Sequence, residues 1–111
     1  VVFMIDALIN KPEKEQKEKH VPFIEKIDDK TIKVTIGRDI LHPSLQEHYI
    51  VWIKLYAEDA EGKFREIGSY EPTPVLAPPI AYFTCEVPKY KKFHCLIFCN
   101  IHGLWEQEKS F

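Results

Sequence analysis

HYIVWIKLYA, residues 48–57, is the longest strand-like stretch of the chain, and its reading decides the fold class. Along an extended backbone, successive side chains point to opposite faces. Tyr49, Val51, Ile53, Leu55 and Ala57 then share one wholly apolar face. His48, Ile50, Trp52, Lys54 and Tyr56 share the other. His48 is therefore expected at the mouth of the strand, pointing away from the main core.

The same period of two recurs on both sides. Upstream, TIKVTI (31–36) alternates Ile32, Val34 and Ile36 with Thr and Lys, the pattern of a half-buried strand. Downstream, a turn signal from Asp59 to Gly62 joins the long strand to FREIGSY (64–70) as a hairpin. EPTPVLAPP (71–79) carries four of the eight prolines and reads as a loop or edge crossing. IAYFTCEV (80–87) and FHCLIFC (93–99) are two more strands, followed by a turn at NIHG and a last strand from Leu104 onward. No repeat, no low-complexity linker and no helix of any length is expected. Six or seven short strands in this length argue for an all-β sandwich or barrel.

Composition bounds the function. The chain has 111 residues with 15 basic and 17 acidic side chains, a formal charge of −2. That length predicts one domain, 1–111, in which residues 1–17 form an N-terminal extension or loop. At 45% hydrophobic and 29% charged, the chain is an ordinary soluble globule and not a disordered or fibrous one. A sequence pI near 6.2 offers no basic field for a polyanion, so no nucleic-acid partner is expected. The stretch VVFMIDALIN (1–10) is interrupted by Asp6 and has no positive charge before it, so it fails as a signal peptide. No run approaches the ~18 apolar residues of a membrane span. Three cysteines fit a disulfide framework badly, and Cys95 and Cys99 lie too far apart for a bridge on an extended strand. A reducing, cytoplasmic setting is expected.

The five histidines carry the chemistry. His94 lies within a strand, between Phe93 and Cys95, and reads as an ordinary surface or hydrogen-bonded residue. The other four fall in loops or at strand ends, where binding residues concentrate. His20 ends the charged stretch KPEKEQKEKH (11–20), itself a solvated loop or a single helical turn. His42 precedes Pro43, which biases it toward an extended backbone. His48 follows six residues later and converges on His42 if the loop folds back. In Cys99-Asn100-Ile101-His102-Gly103, two ligand types three residues apart can chelate one ion from a tight turn, and Gly103 permits the positive φ such a turn needs. Cys85 and Cys95 are expected to be inert core thiols.

Four imidazoles and one thiolate constrain the metal. Structural zinc sites close at four ligands and are usually cysteine-rich. Blue copper wants two histidines, a cysteine and a weak axial ligand, usually methionine, whereas Met4 is the single methionine and lies far from His102 in sequence. Five such ligands suit a square-pyramidal iron with one open position for a small ligand or substrate. A divalent ion with one thiolate carries a net charge of +1, which attracts a small anion. Lys19 would add to that field, and Glu18 could occupy the open position. On the residues alone, the favoured reading of both is as ordinary members of the charged stretch.

Three segments together resemble a known family: Glu18-Lys19-His20-Val21-Pro22; His42-Pro43 with His48-Tyr49-Ile50; and Cys99-Asn100-Ile101-His102-Gly103-Leu104-Trp105-Glu106. They are similar to the superoxide reductases, and among these to the one-iron, neelaredoxin-type members related to the iron domain of the desulfoferrodoxins. The phrase Pro79-Ile80-Ala81-Tyr82-Phe83 adds to the likeness. The resemblance implies an immunoglobulin-like antiparallel β-sandwich of about seven strands holding one mononuclear non-haem iron. It implies His20, His42, His48 and His102 as equatorial ligands and Cys99 as the axial one. By the same resemblance, Glu18 is the carboxylate that binds the oxidised iron, and Lys19 attracts and orients superoxide. The implied reaction is one-electron reduction of superoxide to hydrogen peroxide without dismutation, suited to an anaerobe's cytoplasm. A rubredoxin-like protein is the implied electron donor, and a homo-oligomer, a dimer or tetramer, the implied assembly. No cysteine precedes Cys85, so the additional cysteine-built iron site of the larger desulfoferrodoxins is not expected. The alternative from another class is a cupredoxin-like, non-enzymatic electron carrier.

Overall fold

Alternating apolar residues build two sheets that bury one face each. A computed structural model describes residues 4–11 and 19–111. The strands are β1 (Ile9–Asn10), β2 (Pro22–Asp28), β3 (Thr31–Ile36), β4 (Ile50–Asp59), β5 (Phe64–Tyr70), β6 (Ile80–Thr84), β7 (Tyr90–Cys99) and β8 (Gly103–Lys109). One sheet has the order β1-β8-β7-β4-β5 and the other β2-β3-β6. Pairings are antiparallel except that β1 lies parallel to β8, with Ile9 opposite Leu104 and Asn10 opposite Trp105. The all-β sandwich expected from the alternation is the architecture found.

The core lies between the sheets. Ile32, Val34 and Ile36 of β3 meet Ile53, Leu55 and Ala57 of β4 and Phe93, Cys95, Ile97 and Cys99 of β7, all essentially inaccessible to solvent. At roughly 25 cal/mol per Å² of apolar surface removed from water, these side chains are the main favourable contribution to the fold. Cys95 is fully enclosed there, and burial pushes its thiol far up. Burial also raises the half-buried Cys85 thiol. All three cysteines are free.

Four sequence expectations are corrected. Ile50 faces the core and Trp52 does not, because Val51 is an extra residue. Ile50 pairs with Cys99 while Trp52 already pairs with Phe98. This β-bulge reverses the alternation upstream of Trp52. His48 stands in a bend before β4 instead of on it. Part of the N-terminal extension is ordered into a five-residue helix, Met4–Leu8, followed by β1. The strand from Ile80 stops at Thr84, and Val87–Lys89 form one turn of 3₁₀ helix with Pro88 at its start. The charged residues 12–18 lie outside those described.

The hairpin at 59–62 is as expected. Asp59 accepts the backbone N–H groups of Glu61 and Lys63, and Gly62 takes φ +83°. His94 is also the ordinary residue anticipated. Its imidazole sits between Glu58 at 3.4 Å and Glu108 at 3.6 Å, beside the ring of Phe64.

Candidate metal centre

Three connections at one end of the sandwich deliver the polar residues of the site. His20 lies just before β2, His42 and His48 occupy the β3–β4 loop, and Cys99 and His102 bracket the β7–β8 turn. Gly37 makes this convergence possible. It terminates β3 with φ +93°, and a Cβ there would collide with the Ile40 carbonyl oxygen and lie 2.9 Å from that of Lys19. Only a glycine lets the chain reverse so tightly at this point. The reversal is held by Gly37 N–H donating to the Val21 carbonyl and His42 N–H donating to the Ile36 carbonyl. It brings the segments bearing His20 and His42 side by side.

The side chains then face one another across a small volume. Ligand atoms of His20, His42, His48 and Cys99 all lie within 4.8 Å of one another. His102 joins them through Nδ1, 2.9 Å from His20 Nε2 and 3.7 Å from Cys99 Sγ. His42 Nε2 is 3.5 Å from the same sulfur. Donors bound to one ion at the usual lengths of about 2.1 Å for nitrogen and 2.3 Å for sulfur sit roughly 3 Å apart as neighbours and roughly 4.2 Å apart across it. The separations of 2.9, 3.5 and 3.7 Å match that range, and the outer limit of 4.8 Å lies a little beyond it.

The protonation pattern fits as well. His42 Nδ1–H donates to the Pro43 carbonyl at 2.8 Å, which fixes the tautomer and turns the Nε2 lone pair toward the sulfur. His42 is almost completely buried, and burial holds it neutral, its pKa lowered to about 4; the neighbouring His20, His48 and Lys19 act in the same direction. Burial likewise lowers His48, with further contributions from His102 and Lys19. His48 Nε2 is buried and has no hydrogen-bond partner among the described residues. A buried, unsatisfied imidazole nitrogen beside a cysteine sulfur and three other imidazoles is costly unless a cation takes its lone pair. Cys99 Sγ accepts the backbone N–H of His102 at 3.4 Å. The donor set thus fits a single metal ion.

Of the residues anticipated from sequence, these five are brought together. Lys19 adjoins His20, partly exposed, near enough for its charge to act on His42 and His48. Glu18 lies outside the described residues. Two supporting residues complete the site: Gly37, not anticipated from sequence, and Trp105, read from sequence only as covering the site or packing against another subunit. Gly37 had a signal, an isolated glycine directly after an alternating strand. Trp105 stacks on His20 and donates its indole N–H to the His102 carbonyl at 3.2 Å. Its place just beyond the chelating turn was the sequence signal; its partners His20 and the His102 carbonyl were not legible there.

Comparison with known proteins agrees with this geometry. A family model described as desulfoferrodoxin matches residues 12–108. The chain is 39% identical over 98 residues to a superoxide reductase of Pyrococcus abyssi, covering 82% of this chain and 85% of that one. It is 35% identical over 113 residues to a neelaredoxin of Megalodesulfovibrio gigas, covering 84% and 86%. Among solved structures, a one-iron superoxide reductase from Giardia intestinalis superposes with a TM-score of 0.77 at 33% identity, covering 86% of this chain and 100% of that one. Nothing in these likenesses favours the cupredoxin-like alternative. With the family model matching most of its length and relatives well above 30% identity, the chain belongs to the desulfoferrodoxin family.

Proposed function

We propose that the protein is a superoxide reductase, an oxidoreductase that reduces superoxide to hydrogen peroxide by one electron, without dismutation, at one iron. The observation that carries this reading is the convergence of four imidazoles and one cysteine on a single point at one end of the sandwich.

His20, His42, His48 and His102 would supply four neutral nitrogen donors and Cys99 the single thiolate. When bound, iron supplies the ferrous–ferric couple that carries the electron. Five protein donors are fewer than a six-coordinate ion accepts, so a bound iron would be able to take one small exchangeable ligand. Cys99 contributes one negative charge, which leaves a dication held here with a net +1 (2 − 1). The chain as a whole has a charge of −2, so attraction for an anion is local. Lys19 extends that local field toward solvent and steers superoxide to the opening. Burial of His42 and His48 keeps both imidazoles neutral at physiological pH, free of the proton that would compete for their lone pairs. Cys99 would supply a thiolate donor whose electron density tunes a bound iron toward reduction without O–O cleavage. Glu18 would cover the open position between turnovers.

Three finer points belong to the same reading and rest on the likeness to the family. The electron donor is a small rubredoxin-like protein, the chain assembles as a dimer or tetramer, and the enzyme works in the cytoplasm of an anaerobe. No helix among the described residues is long and apolar enough to cross a membrane.

The test is metal content together with the ferric absorption spectrum. Stoichiometric iron and a thiolate-to-metal charge-transfer band that disappears in Cys99→Ser are expected. Copper, or a band that survives the substitution, would contradict the reading.

A further inference from the structure

We infer that Asn100 is a positioning residue for the His48 imidazole, setting it against the cysteine turn; the inference rests on the reading of His48 as a metal ligand. Asn100 directly follows Cys99, and its side chain reaches across 51 and 53 residues of sequence to both neighbours of His48. Its Oδ1 accepts the Tyr49 N–H at 2.9 Å, and its Nδ2 donates to the Glu47 carbonyl at 3.1 Å. Its backbone N–H donates to the Tyr49 carbonyl at 3.2 Å. Within the loop, Leu45 and His48 exchange backbone hydrogen bonds of 2.9 and 3.3 Å, so residues 45–48 form a closed unit. Asn100 fastens that unit, at Glu47 and Tyr49, to the turn that carries Cys99 and His102.

The chemistry needs an asparagine. One short side chain must present an acceptor to an N–H and a donor to a carbonyl. An aspartate lacks the donor, a serine has a single oxygen, and a glutamine is one methylene too long. His48 Nε2 has no hydrogen-bond partner among the described residues to hold the ring. The ring packs edge-on against the His42 and His102 imidazoles, centroids 4.6 and 5.0 Å away, and its backbone sets where it enters that cluster; Asn100 fixes that backbone on both sides. Because the Asn100 side chain is exposed, shortening it opens no cavity in the core. Its loss should reach the site through His48 while the sandwich stays folded.

A double-mutant cycle on the full chain tests this, reading ferrous-iron affinity by competition with a chelator and folding by thermal unfolding of the metal-free protein. Asn100→Ala should weaken iron binding about tenfold to a hundredfold, the usual effect of removing a residue that orients a ligand. Asn100→Asp, which keeps the acceptor for Tyr49, should lose less. If the alanine variant fails to fold, the aspartate variant completes the cycle. In a His48→Ala background, replacing Asn100 should change the affinity less than twofold, because the ring it positions is gone. Equal losses in the two backgrounds would overturn the inference, as would unchanged affinity in Asn100→Ala. If His48→Ala alone leaves iron affinity unchanged, the ligand assignment itself fails and takes the inference with it.

Discussion

The indole of Trp105 lies flat against the His20 imidazole, ring centroids 4.8 Å apart and planes 12° apart, while its N–H holds the His102 carbonyl. One residue of β8 thus braces two of the five converging side chains. Trp105→Phe keeps the stack and loses the hydrogen bond, and should cost about 1 kcal/mol of stability. Trp105→Ala loses both and should cost about 2–3 kcal/mol, less than for a wholly buried tryptophan. Denaturant unfolding measures the two costs. Chelator competition should show weaker iron binding in the alanine variant than in the phenylalanine one.

Gly37 and Gly103 both have positive φ but should respond differently to alanine. At Gly103 nothing lies within 4 Å of the added Cβ, so Gly103→Ala carries the left-handed penalty alone, about 1–2 kcal/mol. At Gly37 the Cβ would collide with two backbone oxygens. Gly37→Ala should therefore cost more than about 3 kcal/mol and displace His42. Thermal unfolding of the two variants in parallel checks the order.

His42 makes the metal-free protein acid-sensitive within a defined window. Its pKa falls from an ordinary 6.5 to about 4 on folding, so between these values the unfolded chain binds the extra proton. The stability contributed by the neutral imidazole is fully present above pH 6.5 and is lost as pH falls toward 4. Denaturant midpoints of the metal-free protein should fall across that window. His42→Gln should show a shallower dependence.

Lys19→Ala should slow association with superoxide and flatten its dependence on ionic strength, because the steering charge is removed while the metal's own charge remains. Stopped-flow rates at several salt concentrations measure both. An unchanged rate and salt slope would make Lys19 part of a solvated surface.

The alternation in Ile32–Val34–Ile36 and in Phe93–Cys95–Ile97–Cys99 was enough to read the sandwich, because period-two burial is a local property of each strand. The phase of β4 was not legible. The bulge at Val51 carries no glycine or proline, and it exists only because Ile50 pairs with Cys99. Strand β2 was hidden because only its first half is buried, and Glu25, Lys26 and Asp28 break the pattern. The pairing of β1 with β8 joins segments over ninety residues apart, which no local window senses. In the site, residue types and loop positions singled out the histidines and Cys99, since metal chemistry restricts the choice of side chain. Asn100 escaped, and Trp105 was placed near the site without its partners, because both roles lie in what the residues touch across the fold.

The central claim is one-electron reduction without dismutation, and product stoichiometry tests it most directly. Ferrous-loaded protein should be mixed anaerobically with superoxide while peroxide and oxygen are measured together. One hydrogen peroxide formed per iron oxidised, with no oxygen released by the protein, is the predicted result. Sustained superoxide loss without added reductant, with oxygen evolved in proportion to peroxide, would contradict it.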